Sequence, residues 1–269
     1  MKQMKSRWGR GAMCACLMIM VMALFTPCAS GADTNAQLGY EVEDGSAIVT
    51  RYEGELKGDL LIPSELAVTG IADYAFYGCS SLTSVTIPDS VTSIGDSAFT
   101  ECSGLTSIII PDSVTSIGGS AFYQCSGLTS VTIGSGVTSI GGSTFYQCSS
   151  LASITIPGGV TNIGDSAFFE CSGLTSVIIE NGVTSIGDWA FYGCSSLTSV
   201  TIPDSVTSIG DYAFDGCSSL TSVTIPDSVT SIGDSAFDWY NEELALRVKQ
   251  GSAAEQYAKD KDIAYVFID

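Results

Sequence analysis

Histidine is absent from the 269-residue sequence, and this absence excludes several kinds of enzyme. A Ser-His-Asp triad needs an imidazole as its base, and zinc sites in enzymes commonly use histidine ligands. A Ser–Lys pair would need a lysine in the repeated part of the chain, yet no Lys or Arg occurs between Gly58 and Leu246. Paired carboxylates are abundant, so a glycosidase is the enzyme class that the composition leaves open.

Positive charge is also scarce. The chain has ten Lys and Arg against 29 Asp and Glu, a formal net charge of −19. Residues 1–32 hold four of the ten basic residues and no acid, so residues 33–269 have six basic against 29 acidic residues, a charge of −23. Such a surface repels the phosphates of nucleic acids and anionic lipids. We therefore predict no nucleic-acid partner.

The sequence lacks an apolar run long enough for a membrane helix. The uncharged run Ala12–Phe25 is shorter than the roughly 20 residues that a span needs, and it follows four basic residues. The order basic, apolar, then small residues ("TPCASGA") is typical of a secretory signal peptide. We predict a signal peptide over residues 1–32, an extracellular or cell-surface location, and no membrane span in the mature chain. An uncleaved anchor remains an alternative, whereas Pro27 before Cys28 disfavours lipid attachment.

What the sequence does contain is a strict 23-residue period. Eighteen residues, "CSSLTSVTIPDSVTSIGD", occur unchanged at Cys79–Asp96, Cys194–Asp211 and Cys217–Asp234. A fixed period of this length is typical of a solenoid in which each repeat forms one coil. The same step separates the members of a phenylalanine series and of a cysteine series: Phe76, Phe99, Phe122, Phe145, Phe168, Phe191, Phe214 and Phe237; Cys79, Cys102, Cys125, Cys148, Cys171, Cys194 and Cys217.

The first half of each repeat predicts a short strand. In "LTSVTIP", Leu82, Val85 and Ile87 are apolar, while Ser84 and Thr86 alternate with them. This alternation indicates a strand with one buried face. Turn-forming residues such as Pro-Asp-Ser follow it.

The second half predicts a further inward-facing segment and a short helical turn. Val91 and Ile94 have helical spacing, and Asp96 is placed to cap a helical turn that carries Phe99 and Cys102 inward. One coil buries too little apolar surface to offset the entropy of ordering it, so stability requires stacking of coils.

These patterns predict four segments. After the signal peptide, residues 1–32, we expect residues 33–58 to form an N-terminal β-hairpin cap around Asp44-Gly45. Residues 59–240 then form a solenoid of about eight coils, and residues 241–269 form a strand-helix-strand cap. Ser252 and Glu255 predict a capping box at the start of the terminal helix. We expect a fold of the α/β solenoid class, with a right-handed coil, a parallel sheet on the inner curve and short helical or irregular turns outside.

The repeat "FxxCSSLTSVTIPDSVTSIGDxAF" resembles the 23-residue BspA-like class of bacterial leucine-rich repeats. The likeness covers about residues 40–269, including the terminal "GSAAEQYA". The resemblance implies a secreted or surface protein concerned with adhesion to matrix proteins, other cells or mucosal surfaces. It carries over no catalytic residues. This chain has no recognisable sortase motif, surface-anchoring module or second domain, which leaves wall attachment open.

The outward strand positions are the predicted partner-binding residues. One alternative is a solvent-exposed sheet surface with no binding role, since threonine is favoured in strands. Another is a regular array of hydroxyl groups that faces ice, but Ile109 and Ile178 interrupt this array. We expect specificity where coils differ, namely at Glu101, Gln124, Gln147, Glu170, Trp189, Tyr192 and Asp215. The predicted partner-binding residues are Ser84, Thr86, Ser107, Ser130, Thr132, Ser153, Thr155, Ser176, Ser199, Thr201, Ser222 and Thr224.

Two periodic series have alternative interpretations. Equivalent cysteines in stacked strands lie close enough for disulfides, but their parallel direction and odd number favour buried free thiols. Asp165, Asp188, Asp211 and Asp234 suggest either a calcium ladder or solvated helix caps, and we favour the caps because one Asp per coil supplies too few oxygens.

Together the observations predict a binding protein rather than an enzyme. Every Asp considered for catalysis occupies a repeating position, whereas an active site is expected to occur once. We predict a monomer with no cofactor and no metal that engages an extracellular protein or cell-surface ligand. The alternative is a structural envelope spacer with no specific ligand; a glycan-active enzyme is the weaker third choice.

Overall fold

A computed structural model of the protein describes residues 37–43, 46–53, 56–64, 67–237 and 241–268. The predicted signal peptide, the Asp44-Gly45 turn and Tyr240 lie outside these residues. The described part contains two ten-stranded sheets and one helix, α1 (Ala253–Asp260). The strands are β1 Gln37–Glu43, β2 Ser46–Glu53, β3 Gly58–Leu61, β4 Val68–Ile71, β5 Leu82–Thr86, β6 Ser93–Ile94, β7 Ser107–Ile110, β8 Ser116–Ile117, β9 Ser130–Ile133, β10 Ser139–Ile140, β11 Ser153–Ile156, β12 Asn162–Ile163, β13 Ser176–Ile179, β14 Ser185–Ile186, β15 Ser199–Thr201, β16 Ser208–Ile209, β17 Ser222–Thr224, β18 Ser231–Ile232, β19 Ala245–Val248 and β20 Ala264–Phe267.

The coils stack as a parallel-strand solenoid, which confirms the predicted fold class. The first sheet has the order β3-β5-β7-β9-β11-β13-β15-β17-β19-β20, and the second has the order β1-β2-β4-β6-β8-β10-β12-β14-β16-β18. Within the described residues, eight coils from β3 to β18 contribute one strand to each sheet, and β19 begins a ninth turn. Register is kept at 23 residues, as in the pairs of Ser84 with Ser107 and Ser107 with Ser130.

The second sheet differs from the sequence expectation. The spacing of Val91 and Ile94 suggested a helical segment, but Ser93 and Ile94 form the two-residue strand β6, which pairs in parallel with β4 and β8. Inter-coil hydrogen bonds explain this outcome: the amide of Thr92 donates to the Thr69 carbonyl, and the amide of Gly95 donates to the Ile71 carbonyl. A helix would instead direct these amides within the same coil.

The core is a set of side-chain files that run along the solenoid axis. The eight repeat phenylalanines are fully buried, and adjacent rings stack with centroids 5.0–5.4 Å apart. At the C-terminal end, Tyr257 of α1 contacts Phe237 edge-on, with ring centroids 6.1 Å apart. Helix α1 therefore covers the C-terminal end of the phenylalanine file.

A glycine follows each second-sheet strand from β6 to β18. A Cβ atom on Gly118 would lie 2.5 Å from the backbone nitrogen of Asp96 and 2.4 Å from its Oδ1 atom. Real Cβ atoms essentially never approach backbone this closely. The backbones of neighbouring coils are therefore too close here for any residue with a side chain. We call the segment that follows, from the Asp or Gly position to the cysteine of each coil (for example Asp96–Cys102), the turn wall.

The two ends have different structures. At the N-terminal end, β1 and β2 form an antiparallel pair, and β2 pairs in parallel with β4. At the C-terminal end, the Ser252 Oγ atom accepts a hydrogen bond from the Glu255 amide, and the Glu255 carboxylate accepts one from the Gly251 amide. The boundaries assigned to the segments from sequence stay predictions.

Candidate binding face

The predicted partner-binding residues share one side of the first sheet. Strand alternation directs Val85 and its equivalents into the core and Ser84 and Thr86 away from it. We call this outward side, from β5 to β17, the strand face. Of its twelve predicted residues, ten are exposed, and Ser84 and Ser176 are half-buried. The structure thus brings the predicted residues into continuous files, while their role in binding stays a prediction.

The strand face carries no charged side chain. Every residue of its seven strands is Ser, Thr, Val, Ile or Leu. Charges occur only at the flanking strands, where Asp59 of β3 pairs with Ser84 and Arg247 of β19 pairs with Thr224. On a chain with a net charge of −19, this is a distinct neutral surface.

Large apolar side chains lie within the threonine file of this face. Ile109 is 67% exposed and Ile178 is 50% exposed. The same file continues into the flanking strands with Leu61, which is 63% exposed, and Val266, which is 48% exposed. Sequence reasoning treated Ile109 and Ile178 as interruptions and missed the other two, although the 23-residue register carried into the flanking strands would have located them.

Some hydroxyls near this face are already engaged within the protein. The Thr83 and Ser84 hydroxyls donate to the Asp59 carboxylate at 2.9 and 2.7 Å. These two hydrogen bonds, with Ser84 contributing most, lower the pKa of Asp59. The Thr106 and Thr129 hydroxyls donate to the carbonyl of the preceding coil. Of the predicted partner-binding residues, Ser84 is therefore already engaged with Asp59.

The aspartate series has a structural role that the sequence did not predict. Asp188 Oδ1 accepts a hydrogen bond from the Asp211 amide at 2.8 Å, and Asp211 Oδ1 accepts one from the Asp234 amide at 2.7 Å. The expectation of local helix caps was wrong, because the carboxylates of Asp165, Asp188 and Asp211 bond the backbone of the next coil rather than their own turns. Within the described residues, no cluster of three or more His, Cys, Asp or Glu side chains could hold a metal ion.

The cysteine series forms a file of thiols that donate to backbone. The described cysteines are free, and all but Cys79 are fully buried. Cys125 Sγ lies 3.0 Å from the Phe99 carbonyl oxygen, and Cys148 Sγ lies 3.2 Å from that of Phe122. Burial raises the pKa of Cys125 and of Cys171 to about 12. Because nucleophilic cysteines need a stabilised thiolate, these protonated thiols have a structural role.

A shallow polar groove of about 940 Å³ follows the turn wall. The side-chain amide of Gln124 donates to Gln147 at 2.7 Å, and that of Gln147 donates to the Glu170 carboxylate at 2.6 Å. Beside them, an aromatic file from Tyr123 to Tyr192 stacks with ring centroids 4.6–4.8 Å apart. Most of the exposed positions that differ between coils therefore lie on the turn wall; on the strand face the exceptions are Ile109 and Ile178.

Comparison with known proteins identifies the repeat. A family model described as "BspA type Leucine rich repeat region" matches six copies over residues 69–198 and 161–247. The crystal structure of a leucine-rich repeat protein of T. pallidum, TpLRR, is 34% identical with a TM-score of 0.64, covering 68% of this chain and 87% of that one. No curated protein sequence matches the chain.

A second solved structure is also similar over most of the chain. A leucine-rich cell surface protein from Faecalibacterium prausnitzii A2-165 is 30% identical with a TM-score of 0.57, covering 84% of this chain and 77% of that one.

Within the described residues, no helix is both long enough and apolar enough to cross a bilayer.

Proposed function

Because the chain belongs to the BspA-type leucine-rich repeat family, we propose that it is a secreted or surface-exposed binding protein that engages an extracellular protein through the strand face. Proteins of this family are typically surface-associated, and the similar F. prausnitzii protein is described as a cell surface protein. The role is adhesin-like and non-enzymatic, in keeping with a repeat that carries no unique catalytic cluster among the described residues.

The observation that carries this proposal is the absence of charge from β5 to β17. Burying a charged group in an interface costs free energy unless it finds a partner, whereas hydroxyl and aliphatic groups are less expensive to desolvate. Interface cores are correspondingly depleted of charged residues. A protein with 29 acidic residues that keeps seven adjacent strands free of them has a surface suited to contact with another protein.

Charge elsewhere on the molecule favours a basic partner. The acidic surroundings of the strand face produce a negative potential that attracts positively charged surfaces over about 8–10 Å at physiological salt. This attraction accelerates encounter, while the neutral face supplies the contact itself. We therefore expect association to slow as salt concentration rises.

The test is surface plasmon resonance of the full chain against a panel of immobilised matrix proteins, across a salt series. Thr132, Thr155 and Thr201 are exposed on three strands of the face. Replacing all three with lysine introduces charge into the contact, so saturable binding should fall by about ten-fold or more. A matched variant places three lysines on exposed positions of the second sheet, at Ser116, Asn162 and Ser231.

The two variants separate a local effect from a change in net charge. Binding lost only in the strand-face variant supports the proposal. Equal loss in both variants would indicate that net charge, not the strand face, governs binding. Absence of saturable binding by the unmodified chain to any matrix protein or whole cell would favour the envelope-spacer alternative. Binding that ignores all six substitutions would move the contact to the turn wall or the ends.

A further inference from the structure

Two neighbouring coils break the repeat at one position of the turn wall, directly after the Asp or Gly position. Trp189 and Tyr212 occupy it in these coils, and Tyr74 occupies it in the first coil. The remaining coils have serine there: Ser97, Ser120, Ser143, Ser166 and Ser235. The two adjacent aromatic residues are therefore a local exception within a repeated surface.

The fold does not require aromatic side chains at this position. Trp189 and Tyr212 have φ angles of 53° and 55°, within the 50–56° range of the five serines. The Trp189 amide donates to the Asp211 carbonyl at 2.8 Å, as the Ser166 amide does to the Asp188 carbonyl. Because the backbone and its hydrogen bonds are the same with serine, the coils stack at this position without aromatic rings.

The two rings form an exposed pair. Trp189 and Tyr212 stack with centroids 5.9 Å apart and ring planes inclined by 8°. Trp189 is 41% exposed and Tyr212 is 37% exposed. Exposed aromatic side chains of this size are enriched at protein interfaces, where they supply contact area at low entropic cost.

Carboxylates directly precede both rings in the chain. Asp188 and Asp211 each use one oxygen to accept the amide of the next coil. Between described residues, neither carboxylate takes part in an ion pair; the ion pairs there join Lys249 to Asp227, Lys259 to Glu255 and Lys261 to Asp234. The aromatic pair is thus accompanied by negative charge that no cation of the described chain neutralises.

The protein itself places a cation at the next position of this series. Lys261, which follows α1, lies with its Nζ atom 3.0 Å from Asp234 Oδ1. The hydrogen bond to Asp234 is the main cause of the raised pKa of Lys261, with smaller contributions from Tyr257 and Tyr212. An ammonium group therefore already occupies the end of the aspartate file beside the aromatic pair, whereas Asp211 and Asp188 have no equivalent.

We propose that Trp189 and Tyr212, with Asp188 and Asp211, form a docking site for arginine side chains of a basic segment in a partner protein. A guanidinium group is planar, stacks on aromatic rings and can bind a carboxylate through two parallel hydrogen bonds. Lysine satisfies the charge but not the stacking and the paired hydrogen bonds. The site lies on the turn wall and is separate from the strand face, so either one can fail without the other.

The experiment measures binding of fluorescently labelled nona-arginine to the full chain by anisotropy, with nona-lysine and a neutral Gly-Ser nonapeptide as comparison probes. Trp189→Ser/Tyr212→Ser installs the residue that five coils already have and leaves the formal charge unchanged. We expect nona-arginine to bind this variant roughly ten-fold more weakly, and nona-lysine binding to change less than about two-fold. Unspecific attraction to the acidic chain is equal in both proteins.

A second pair of variants tests the carboxylates. Asp188→Gly/Asp211→Gly keeps both rings and uses a residue that Gly119 and Gly142 supply at the same repeat position. The control, Asp73→Gly/Asp96→Gly, removes the same charge from the equivalent positions of the first two coils, which precede Tyr74 and Ser97. The first variant should weaken nona-arginine binding several-fold more than the second. Thermal melts followed by circular dichroism check that all variants fold.

The outcomes separate clearly. Unchanged nona-arginine affinity in Trp189→Ser/Tyr212→Ser overturns the proposal, as does equal weakening for nona-arginine and nona-lysine. An equal loss of nona-arginine affinity in the two aspartate variants would show that the carboxylates act only through the overall charge of the chain. That result would also overturn the proposal. A further outcome is that maltohexaose binds the unmodified chain and that Trp189→Ser/Tyr212→Ser loses maltohexaose binding but keeps nona-arginine binding. In that case the surface is a sugar site and not a docking site for arginine.

Discussion

The strand face and the turn wall belong to the same coils, but they join neighbouring coils in different ways. Along the first sheet, adjacent coils are joined mainly by backbone hydrogen bonds, and the side chains on the outer surface take little part. Along the turn wall, side chains complete the junction through stacked phenylalanines, thiols that donate to carbonyls and carboxylates that accept amides. Inward-facing and junction residues of the turn wall should therefore be the least tolerant of change.

The exposed residues of the two surfaces also differ: those of the strand face are more uniform from coil to coil than those of the turn wall. Apart from Ile109 and Ile178, the strand face repeats serine and threonine from coil to coil, whereas the turn wall varies among Gly, Glu, Gln, Tyr and Trp. Repetition of exposed residues is not imposed by packing, because solvent can accommodate other side chains. The contrast implies two surfaces with separate uses: an extended uniform face and a turn wall with local, coil-specific chemistry.

The largest expected effect is a loss of folding stability at high pH, caused by the buried cysteines of the turn wall. Burial raises the pKa of Cys125 and Cys171 to about 12, against about 8.5 in an unfolded chain. The native state therefore holds more protons, so stability is complete below about pH 8.5 and falls as the pH rises toward 12, by about 1.4 kcal/mol per pH unit for each such thiol. Urea unfolding between pH 7 and 10.5 should reveal this decline.

The control for this prediction removes titrating groups. Cys125→Ala/Cys171→Ala should be less stable at pH 7 because two buried side chains are shortened, yet it should lose stability more gradually above pH 8.5. An identical slope in both proteins would show that other groups cause the alkaline loss.

Removal of a ring from the middle of the phenylalanine file should give the next largest effect. Phe145 is fully buried and stacks on Phe122 and Phe168 with ring centroids 5.4 and 5.2 Å away. Phe145→Ala should lower the free energy of unfolding by about 3–5 kcal/mol. Thr155→Ala, on the strand face of the next coil, should stay within about 0.5 kcal/mol. Chemical denaturation decides this, and similar losses for the two would break the contrast between the surfaces.

Removal of one thiol should have an intermediate effect. Cys148→Ala deletes a buried sulfur and leaves the Phe122 carbonyl with one donor fewer, so a loss of about 1–2 kcal/mol is expected. The Phe122 carbonyl still accepts the Cys125 amide, which limits the cost. Cys148→Val restores apolar volume without the donor. If valine fully recovers stability, the thiol is a filler only; if it does not, the hydrogen bond to the carbonyl contributes.

Lysines on the strand face should have the smallest effect on stability. Thr132, Thr155 and Thr201 point to solvent, so replacing all three with lysine should change the free energy of unfolding by less than about 0.5 kcal/mol per site. The added positive charge also relieves part of the repulsion in an acidic chain. Thermal melts followed by circular dichroism check this, and a large destabilisation would mean that the face is part of the structural junction after all.

The periodic part of the fold was predictable from sequence because one residue type recurs at each buried position. The phenylalanine and cysteine files and the outward direction of Ser84 and Thr86 follow from a period of 23 combined with strand alternation. The second sheet was not predictable in this way. Its strands contain only two residues, and the three-residue spacing of Val91 and Ile94 fits a helix as well as a bent extended chain.

The inter-coil roles of side chains were hidden by the repeat itself. When every coil has the same sequence, the pattern of residues is the same whether the Asp188 carboxylate accepts a hydrogen bond from its own turn or from the next coil. The thiol donors were hidden for the same reason, since Cys148 contacts the Phe122 carbonyl 26 residues earlier. The pairing of Trp189 with Tyr212 could have been inferred, because residues 23 apart in a solenoid lie side by side.

The direction of the hydrogen bonds between coils determines how the molecule responds to a pulling force. Strands lie across the solenoid, so their hydrogen bonds lie along it, and tension between the two ends would load one coil junction at a time. Each coil that detaches would release 23 residues, about 80 Å of extended chain in place of about 4.8 Å of stack. A protein built this way would lengthen in equal steps under flow or traction, so that a bound surface could move without abrupt release.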